Sequence, residues 1–421
     1  MLQASFDVAG RALLVCALVG LASSTVFLML VSFATLRFRF RVAKLSRDRS
    51  PRPQPPVSVL KPVHGLEPGL AQCLETFFRQ EYQEYELVFG ARYRDDGAWS
   101  VVNGLRRKFP NVRSRSIETG TPVYPNAKVS VLEPMVASAA FQNLVIADSD
   151  ASVPSDCLAE VVGPLLDPGV GLVTCLYRGV STGGLSSRLE ALGMSVEMSS
   201  GVLVADMLEG LRFALGPTLA VRQETLQMIG GVAVLGPYCA DDYVLGQRIH
   251  AAGKTVVLSH KIIDHLAVNR SLKASLAHQI RWMRSTRFSR PWGHVGAGLT
   301  FAMPFGVLGL ATALISGHGA LGITLLALAV ANRMVQCVVV GWMGLRDRHA
   351  LWWSWLYPVR DLLGFCVWCA SFVGREVVWR GEHYVLSQGG RMRAIRRARG
   401  DADSALPGRP LCRLNHEDVG V

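Results

Sequence analysis

The chain has 421 residues, half of them apolar, with 44 Lys and Arg against 32 Asp and Glu and a formal net charge of +12. That size and hydropathy suit one soluble domain joined to membrane segments and exclude a small secreted module. The nine cysteines form no disulfide or zinc framework, since the one C-x-x-C, Cys366-Val-Trp-Cys369, lies in an apolar run, and a reducing compartment suits the soluble part.

From Ala12 to Leu36 the sequence is uncharged, and about 25 such residues cross a hydrocarbon core of about 30 Å. The run is too long for a signal-peptide core. Arg37, Arg39, Arg41, Lys44, Arg47 and Arg49 follow it, which by the positive-inside rule places that flank in the cytosol. Residues 1–50 therefore read as a membrane anchor with a basic juxtamembrane segment. Pro51 to Pro56 form an extended linker, after which a cytosolic domain is expected over 51–270. Strands are expected at Val57–Leu60, Tyr85–Gly90, about Val112–Ile117 and Asn143–Ala147, with helices between them. This alternation predicts βαβ units and a largely parallel sheet. Neither a G-x-G-x-x-G nor a P-loop is present, which weighs against dinucleotide and ATP binding.

The fourth strand runs directly into Asp148-Ser149-Asp150. Acids beyond the carboxyl end of a strand in an open α/β sheet stand where ligands bind. Two carboxylates so close are best tolerated when solvated or bridged by Mg2+ or Mn2+, and a polar turn is the plainer alternative. Further strands are expected at Gly171–Tyr177, Thr218–Arg222 and Thr255–Leu258, the last closing the sheet. Leu189–Phe213 reads as an interfacial or domain-packing helix, too charged to span easily. Asp241-Asp242-Tyr243 opens a helix through Ala252, where capping is the bland role for the acids.

Residues 271–292 read as a basic amphipathic helix at the lipid headgroup boundary, with Arg281, Arg284, Arg287 and Arg290 at helical spacing. Gly298–Ser316, Leu321–Leu345 and Leu351–Val373 are three apolar segments of a membrane region expected over 293–390. Arg333 is expected to snorkel or to pair within the bundle. Three full spans would leave the basic tail, 391–421, outside, against the charge rule, unless one segment is re-entrant. The tail from Arg391 to Arg399 reads as mobile. The basic residues flank apolar segments without interleaved stacking aromatics, so membrane rather than nucleic acid is the expected partner.

Four features recur in order: Asp95-Asp96, Asp148-x-Asp150, Asp241-Asp242 and His278-Gln279-Ile-Arg281-Trp282. Together they resemble the D, D-x-D, D, Q/R-x-x-R-W signature of membrane-bound inverting glycosyltransferases. Pro56-Val-Ser-Val-Leu-Lys-Pro62, Leu74-Glu-Thr-Phe-Phe78, Ala240-Asp-Asp-Tyr243, Gln279-Ile-Arg-Trp282 and Trp379-Arg-Gly extend the resemblance to the ceramide glucosyltransferase family, glycosyltransferase family 21, from the anchor to about Leu386. Hopanoid-associated bacterial glycosyltransferases are similar over the same span. His278 stands where the signature has Gln or Arg, and Asp150 where many ceramide-type relatives have Gly.

The resemblance implies a GT-A α/β fold with transmembrane helices, in a bacterial inner membrane with the catalytic domain cytosolic. It implies a UDP-sugar donor, a lipid acceptor, and Mg2+ or Mn2+ held by Asp148 and Asp150 against the diphosphate. Asp96, in preference to Asp95, would face the nucleotide, and Lys128 would contact nucleotide or phosphate unless it is a solvated helix-start lysine. The resemblance places the general base on Asp242. Gln279 joins Arg281, which would grip the diphosphate, and Trp282, which would offer an aromatic face to the acceptor. Transfer of glucose to a ceramide-like lipid is the first reading, and of N-acetylglucosamine to a hopanoid polyol the second. A processive polysaccharide synthase would need a translocation channel that the few spans do not supply. A non-catalytic scaffold or transporter subunit would need a paired polar pathway through the spans.

Overall fold

A computed structural model describes residues 2–47, 53–268, 271–379 and 381–395. Arg49 of the basic flank, Pro51 and Arg52 of the expected linker, Arg380 of the Trp379-Arg-Gly stretch and the tail from residue 396 lie outside them.

Helix α1 (Leu2–Arg47) is continuous, about 69 Å long at about 1.5 Å per residue, and turns Val19, Met29, Phe33 and Phe40 outward. The basic flank continues this helix. Arg37 Nη1 donates to the Met207 carbonyl at 3.0 Å and Arg41 pairs with Asp206 at 3.0 Å, which ties the flank to the catalytic domain.

The domain is built on β1 (Val57–Pro62), β2 (Tyr85–Ala91), β3 (Ser114–Glu118), β4 (Asn143–Ala147), β5 (Ala151–Ser152), β6 (Val170–Ser181), β7 (Thr218–Arg222) and β8 (Thr255–Ala267). They form one sheet in the order β3-β2-β1-β4-β7-β6-β8-β5. Pairs β1–β2, β2–β3, β1–β4 and β6–β8 are parallel, and β7 runs against both its neighbours. The run Val57 to Leu60 is fully buried because helices α2 (Leu70–Phe78), α3 (Ala98–Lys108) and α4 (Ala127–Ser138) complete crossovers on the faces of a parallel sheet. Expected and observed strands agree in the first half. Strand β8, expected to end at Leu258, continues to Ala267, paired with β6 through two register shifts. Its polar residues break the apolar run: His260, Lys261 and Asp264 pair with Glu160, Asp156 and Arg178, and His265 lines the cavity.

Beyond α5 (Cys157–Val162), helices α6 (Gly184–Leu192) and α7 (Ser199–Leu208) join through a π-helical turn, Gly193–Met198, into one rod. By length and composition this rod could cross a membrane, yet it packs between β6 and α1, as a domain-packing helix does. Helices α8 (Gln223–Met228) and α9 (Asp241–Ala251) follow.

The expected interface helix is α10 (Leu272–Ser289), started by the Ser271 hydroxyl accepting from Ala274 N–H. Two of its arginines do not face headgroups. Arg284 and Arg287 donate to the Val373 and Gly374 carbonyls at 2.8 and 3.2 Å, where cations satisfy a helix end. The three expected C-terminal spans resolve differently. The first is bent by 51° between α11 (Pro291–Ala297), with the turn after it, and α12 (Met303–Ile315). The second, α13 (Gly319–Gln336), continues through a π-helical turn to Gly344 and is long and apolar enough for a full span. The third breaks into α14 (Arg348–Trp352) and α15 (Tyr357–Ser371), the latter about 22 Å long. Arg333 pairs within the bundle, 3.1 Å from Asp361.

The membrane region expected to reach residue 390 ends earlier. Strands β9 (Glu376–Trp379), β10 (Glu382–Ser387) and β11 (Arg391–Ala394) form an antiparallel sheet, so the tail expected to be mobile from Arg391 begins as a strand. This sheet docks beside α9: Cys239 N–H donates to the Gly390 carbonyl at 3.0 Å and Met392 N–H to the Pro237 carbonyl at 2.8 Å.

Candidate active site

Strand β4 delivers Asp148 to the sheet's edge, where its N–H donates to the Pro217 carbonyl at 3.1 Å. Its own carbonyl accepts from Lys61 Nζ. Lys61 is fully buried in β1, its ammonium 3.9 Å from the Phe77 ring centroid. Burial pushes its pKa down to about 8, against the attraction of Asp148 and Asp150. The sequence signal for Lys61 is a cation inside an otherwise uncharged strand. Replacing Lys61 by Met is expected to lower kcat/KM for donor about 10²-fold by letting the Asp148 peptide shift, read as a rise in the cation concentration needed for half-maximal activity.

Lys128 is placed by a cap. Asn126 Oδ1 accepts from the N–H groups of Lys128 and Val129 at 2.9 and 3.2 Å, and Asn126 Nδ2 donates to the Tyr238 carbonyl and to Asp241 Oδ1 at 2.9 and 3.1 Å. One side chain thus ties the start of α4 to the start of α9. Lys128 Nζ lies 2.6 Å from Asp148 Oδ1 and 3.7 Å from Asp241 Oδ2. Burial opposes its charge, but these acids hold its pKa above the ordinary value. It is not a solvated lysine.

Asp242 stands in the first turn of α9, and its carboxylate accepts from Tyr243 N–H at 2.8 Å rather than from a residue further into the helix. Burial and then the Asp241 charge push its pKa up to about 6, with Lys128 pulling the other way. Gly216 separates Asp242 from Asp148: a Cβ there would lie 3.0 Å from Asp242 Oδ2 and 3.6 Å from Asp148 Oδ2. Both carboxylates face one small space that a glycine keeps open.

His265 lies on the extension of β8, its Nε2 3.4 Å from Asp150 Oδ1 and its ring 5.3 Å from that of Tyr177. One ligand atom each from Asp148, Asp150 and His265 falls within 4.8 Å of the others. Two carboxylates and an imidazole suit a divalent cation of the Mn2+ type, and a purely oxygen set would suit Mg2+ better. The Lys128 ammonium on Asp148 shows that this carboxylate takes a cationic partner. Asp95 is exposed. Asp96 accepts from the N–H groups of Gly65 and Ala98 at 2.7 and 2.9 Å and contacts His64 Nδ1 at 3.2 Å. Neither acid lines the cavity, and His64 does.

Gln279, Arg281 and Trp282 line the same cavity as Asp148 and Asp242, a space of about 730 Å³. The Arg281 guanidinium lies 5.4 Å from the Trp379 ring centroid, so β9 supplies its backing. His278 is 4.3 Å from the Trp282 ring and its Nδ1 is 2.9 Å from Glu190 Oε1. Ser275 Oγ donates to Glu190 Oε2 at 2.7 Å and accepts from Gln279 Nε2 at 2.9 Å. Glu190 thus fixes the inner face of α10.

The chain is similar to ceramide glucosyltransferase 1 of Caenorhabditis elegans, 24% identical over 370 residues that cover 85% of this chain and 78% of the relative. It is 26% identical over 232 residues to ceramide glucosyltransferase 3 of the same organism, covering 55% and 50%. The fold is similar to that of a mannosyltransferase from Pyrobaculum calidifontis solved with GDP-mannose and Mn2+, with 19% identity, TM-score 0.50, and coverage of 82% of this chain and 99% of that one. That neighbour and the curled, mostly parallel sheet make the domain a GT-A fold. Residues 20–392 match the sequence model of Glycosyl transferase family 21, and this chain belongs to that family of glycosyltransferases.

Proposed function

We propose that the protein transfers one sugar from a UDP-sugar to a hydroxyl of a membrane lipid at the cytosolic face, with inversion. The observation that carries this is the continuity of one cavity from Asp148 and Asp242 to Arg333 and Asp361 between the apolar helices. A lipid hydroxyl can then reach Asp242 while its chains stay in the bilayer. The names of the C. elegans relatives support a ceramide-like acceptor and glucose as the sugar, with N-acetylglucosamine transfer to a hopanoid polyol as the second reading.

Asp148, Asp150 and His265 would hold a divalent cation, which when bound supplies positive charge against the departing diphosphate. Lys128 adds a second positive charge beside Asp148, and Arg281, backed by the Trp379 ring, presents donors to phosphate oxygens. His64, rather than Asp95 or Asp96, reaches the nucleotide side of the cavity. Asp96 acts through His64 and the Gly65 turn as a positioning residue. Asp242 takes the proton of the acceptor hydroxyl as its oxygen bonds to the anomeric carbon and the bond from that carbon to the diphosphate oxygen breaks. Attack from the face opposite the leaving group inverts the anomeric centre. Trp282 and Gln279 line the acceptor side.

The test is full-length protein in lipid nanodiscs, given labelled UDP-glucose or UDP-N-acetylglucosamine with ceramide or a hopanoid polyol. Expected is a glycolipid of inverted configuration from one combination. Donor binding without transfer to any lipid would overturn the reading.

A further inference from the structure

The cavity continues past the sugar-transfer centre. Its far wall is formed by Glu197 of the π-helical turn, Gln336 and Arg333 of α13, and Tyr357, Arg360 and Asp361 of α15. Two ion pairs stand there, Arg333 with Asp361 at 3.1 Å and Arg360 with Glu197 at 2.7 Å, so the wall is polar without net charge.

The first pair is saturated. Asp361 Oδ2 accepts from the Ala302 and Met303 N–H groups at 3.0 and 2.8 Å, holding the start of α12, and Arg333 Nη1 also donates to the Thr300 carbonyl at 3.0 Å. The second pair is not. Glu197 Oε1, Arg360 Nη1 and Nε, Tyr357 Oη and Gln336 Oε1 are buried and lack hydrogen-bond partners among the described residues. Arg360, Tyr357 and Gln336 are 5%, 0% and 2% exposed. Buried polar atoms left unmet in this way cost stability, so five at one wall call for an occupant. Glu197 Oε1 and Arg360 Nη1 lie 2.9 and 3.2 Å from where a Cβ on Gly364 would stand. An acceptor and a donor therefore border the space that this glycine leaves open. Phe27, Met198, Val202 and Phe301 supply apolar surface alongside. Glu197 follows Glu190 by seven residues, across the start of the π-helical turn.

We propose that this wall is a recognition subsite for a neutral donor–acceptor group of the acceptor lipid, a secondary amide or a pair of hydroxyls, set deeper than the hydroxyl that receives the sugar. The proposal rests on the lipid-acceptor reading given above. A phosphate headgroup does not fit, because both arginines are already neutralised and Glu197 would repel it.

The experiment reads binding without sugar donor. Wild-type protein, Tyr357→Phe and Gln336→Leu in nanodiscs are photolabelled with diazirine analogues of ceramide, of a hopanoid polyol and of phosphatidic acid, and labelled peptides are located by mass spectrometry. Thermal unfolding and UDP binding are measured in parallel. Expected is labelling of residues 193–202 and 357–364 by a neutral lipid, weakened about tenfold in each variant, with UDP affinity unchanged and Tyr357→Phe no less stable than wild type. A merely structural tyrosine would leave lipid affinity unmoved. Labelling by the ceramide analogue assigns the amide, and labelling by the polyol assigns the hydroxyl pair. Labelling equal in variants and wild type, preference for phosphatidic acid, or no label at these segments overturns the proposal. Lipid bound at this wall with no sugar transfer in the nanodisc assay given above, donor present, would refute the lipid-acceptor reading and leave a lipid-binding subsite standing. Transfer to lipid with unaltered variants would do the reverse.

Discussion

Replacing Asp242 by Asn is expected to lower kcat by about 10³-fold, the range of a lost general base, while leaving UDP-sugar affinity unchanged. The amide keeps the volume and the contact with Tyr243 N–H but cannot take a proton. Single-turnover transfer beside a fluorescence titration of UDP checks both parts, and a variant with wild-type turnover would remove Asp242 from the chemistry. The same group sets an acid limb. Its pKa of about 6 leaves it protonated and inert below that pH, so kcat/KM is expected to fall as pH is lowered through about 6. Asp242→Asn should lack that limb. On the alkaline side Lys61, with a pKa of about 8, loses its charge as pH rises through that value and holds the Asp148 carbonyl less strongly. The expected profile is a bell with its top near neutrality.

Removal of divalent cation, or replacement of Asp148 by Ala, is expected to lower kcat/KM for the donor by about 10³-fold, as loss of charge stabilisation on a leaving group does. Asp148→Ala also strips Lys128 of its nearest partner, at 2.6 Å, so the variant should not be rescued by excess Mn2+. His265→Ala is expected to be milder and rescuable, because two carboxylates remain. Initial rates across Mn2+ and Mg2+ titrations distinguish these cases, and full activity in chelator would sink the metal role.

How legible this was depended on local chemistry. Asp148 and Asp150 were readable because a buried parallel strand is an unbroken apolar run, so the first polar residues after it mark the end of the sheet. Asp242, Arg281 and Trp282 were legible only as members of a pattern, since each is ordinary at a helix start or a membrane interface. His265 was not, because Ser259-His-Lys261 interrupts the apolar run of β8 and reads as the strand's end. Asp96 is a related case: spacing shows an acid near a strand end but not whether its carboxylate turns outward or folds back, as here, onto Gly65 and His64. The C-terminal sheet was hidden by short strands and the adjoining apolar segment. Arg284 and Arg287 looked like headgroup contacts because composition does not reveal that another helix ends beside them.

The centre is walled by both ends of the described chain: Phe27 of α1 lines the cavity, as does Trp379 of β9, and β11 is bonded to the loop that leads into Asp242. During synthesis the eight-stranded sheet can close once residue 267 has emerged, yet its catalytic pocket lacks the Arg281 backing and the Gly390 contact. A chain stalled before residue 390 would therefore bind nucleotide sugar poorly and transfer none, so that competence arrives only with the last strand, after the membrane helices have been inserted.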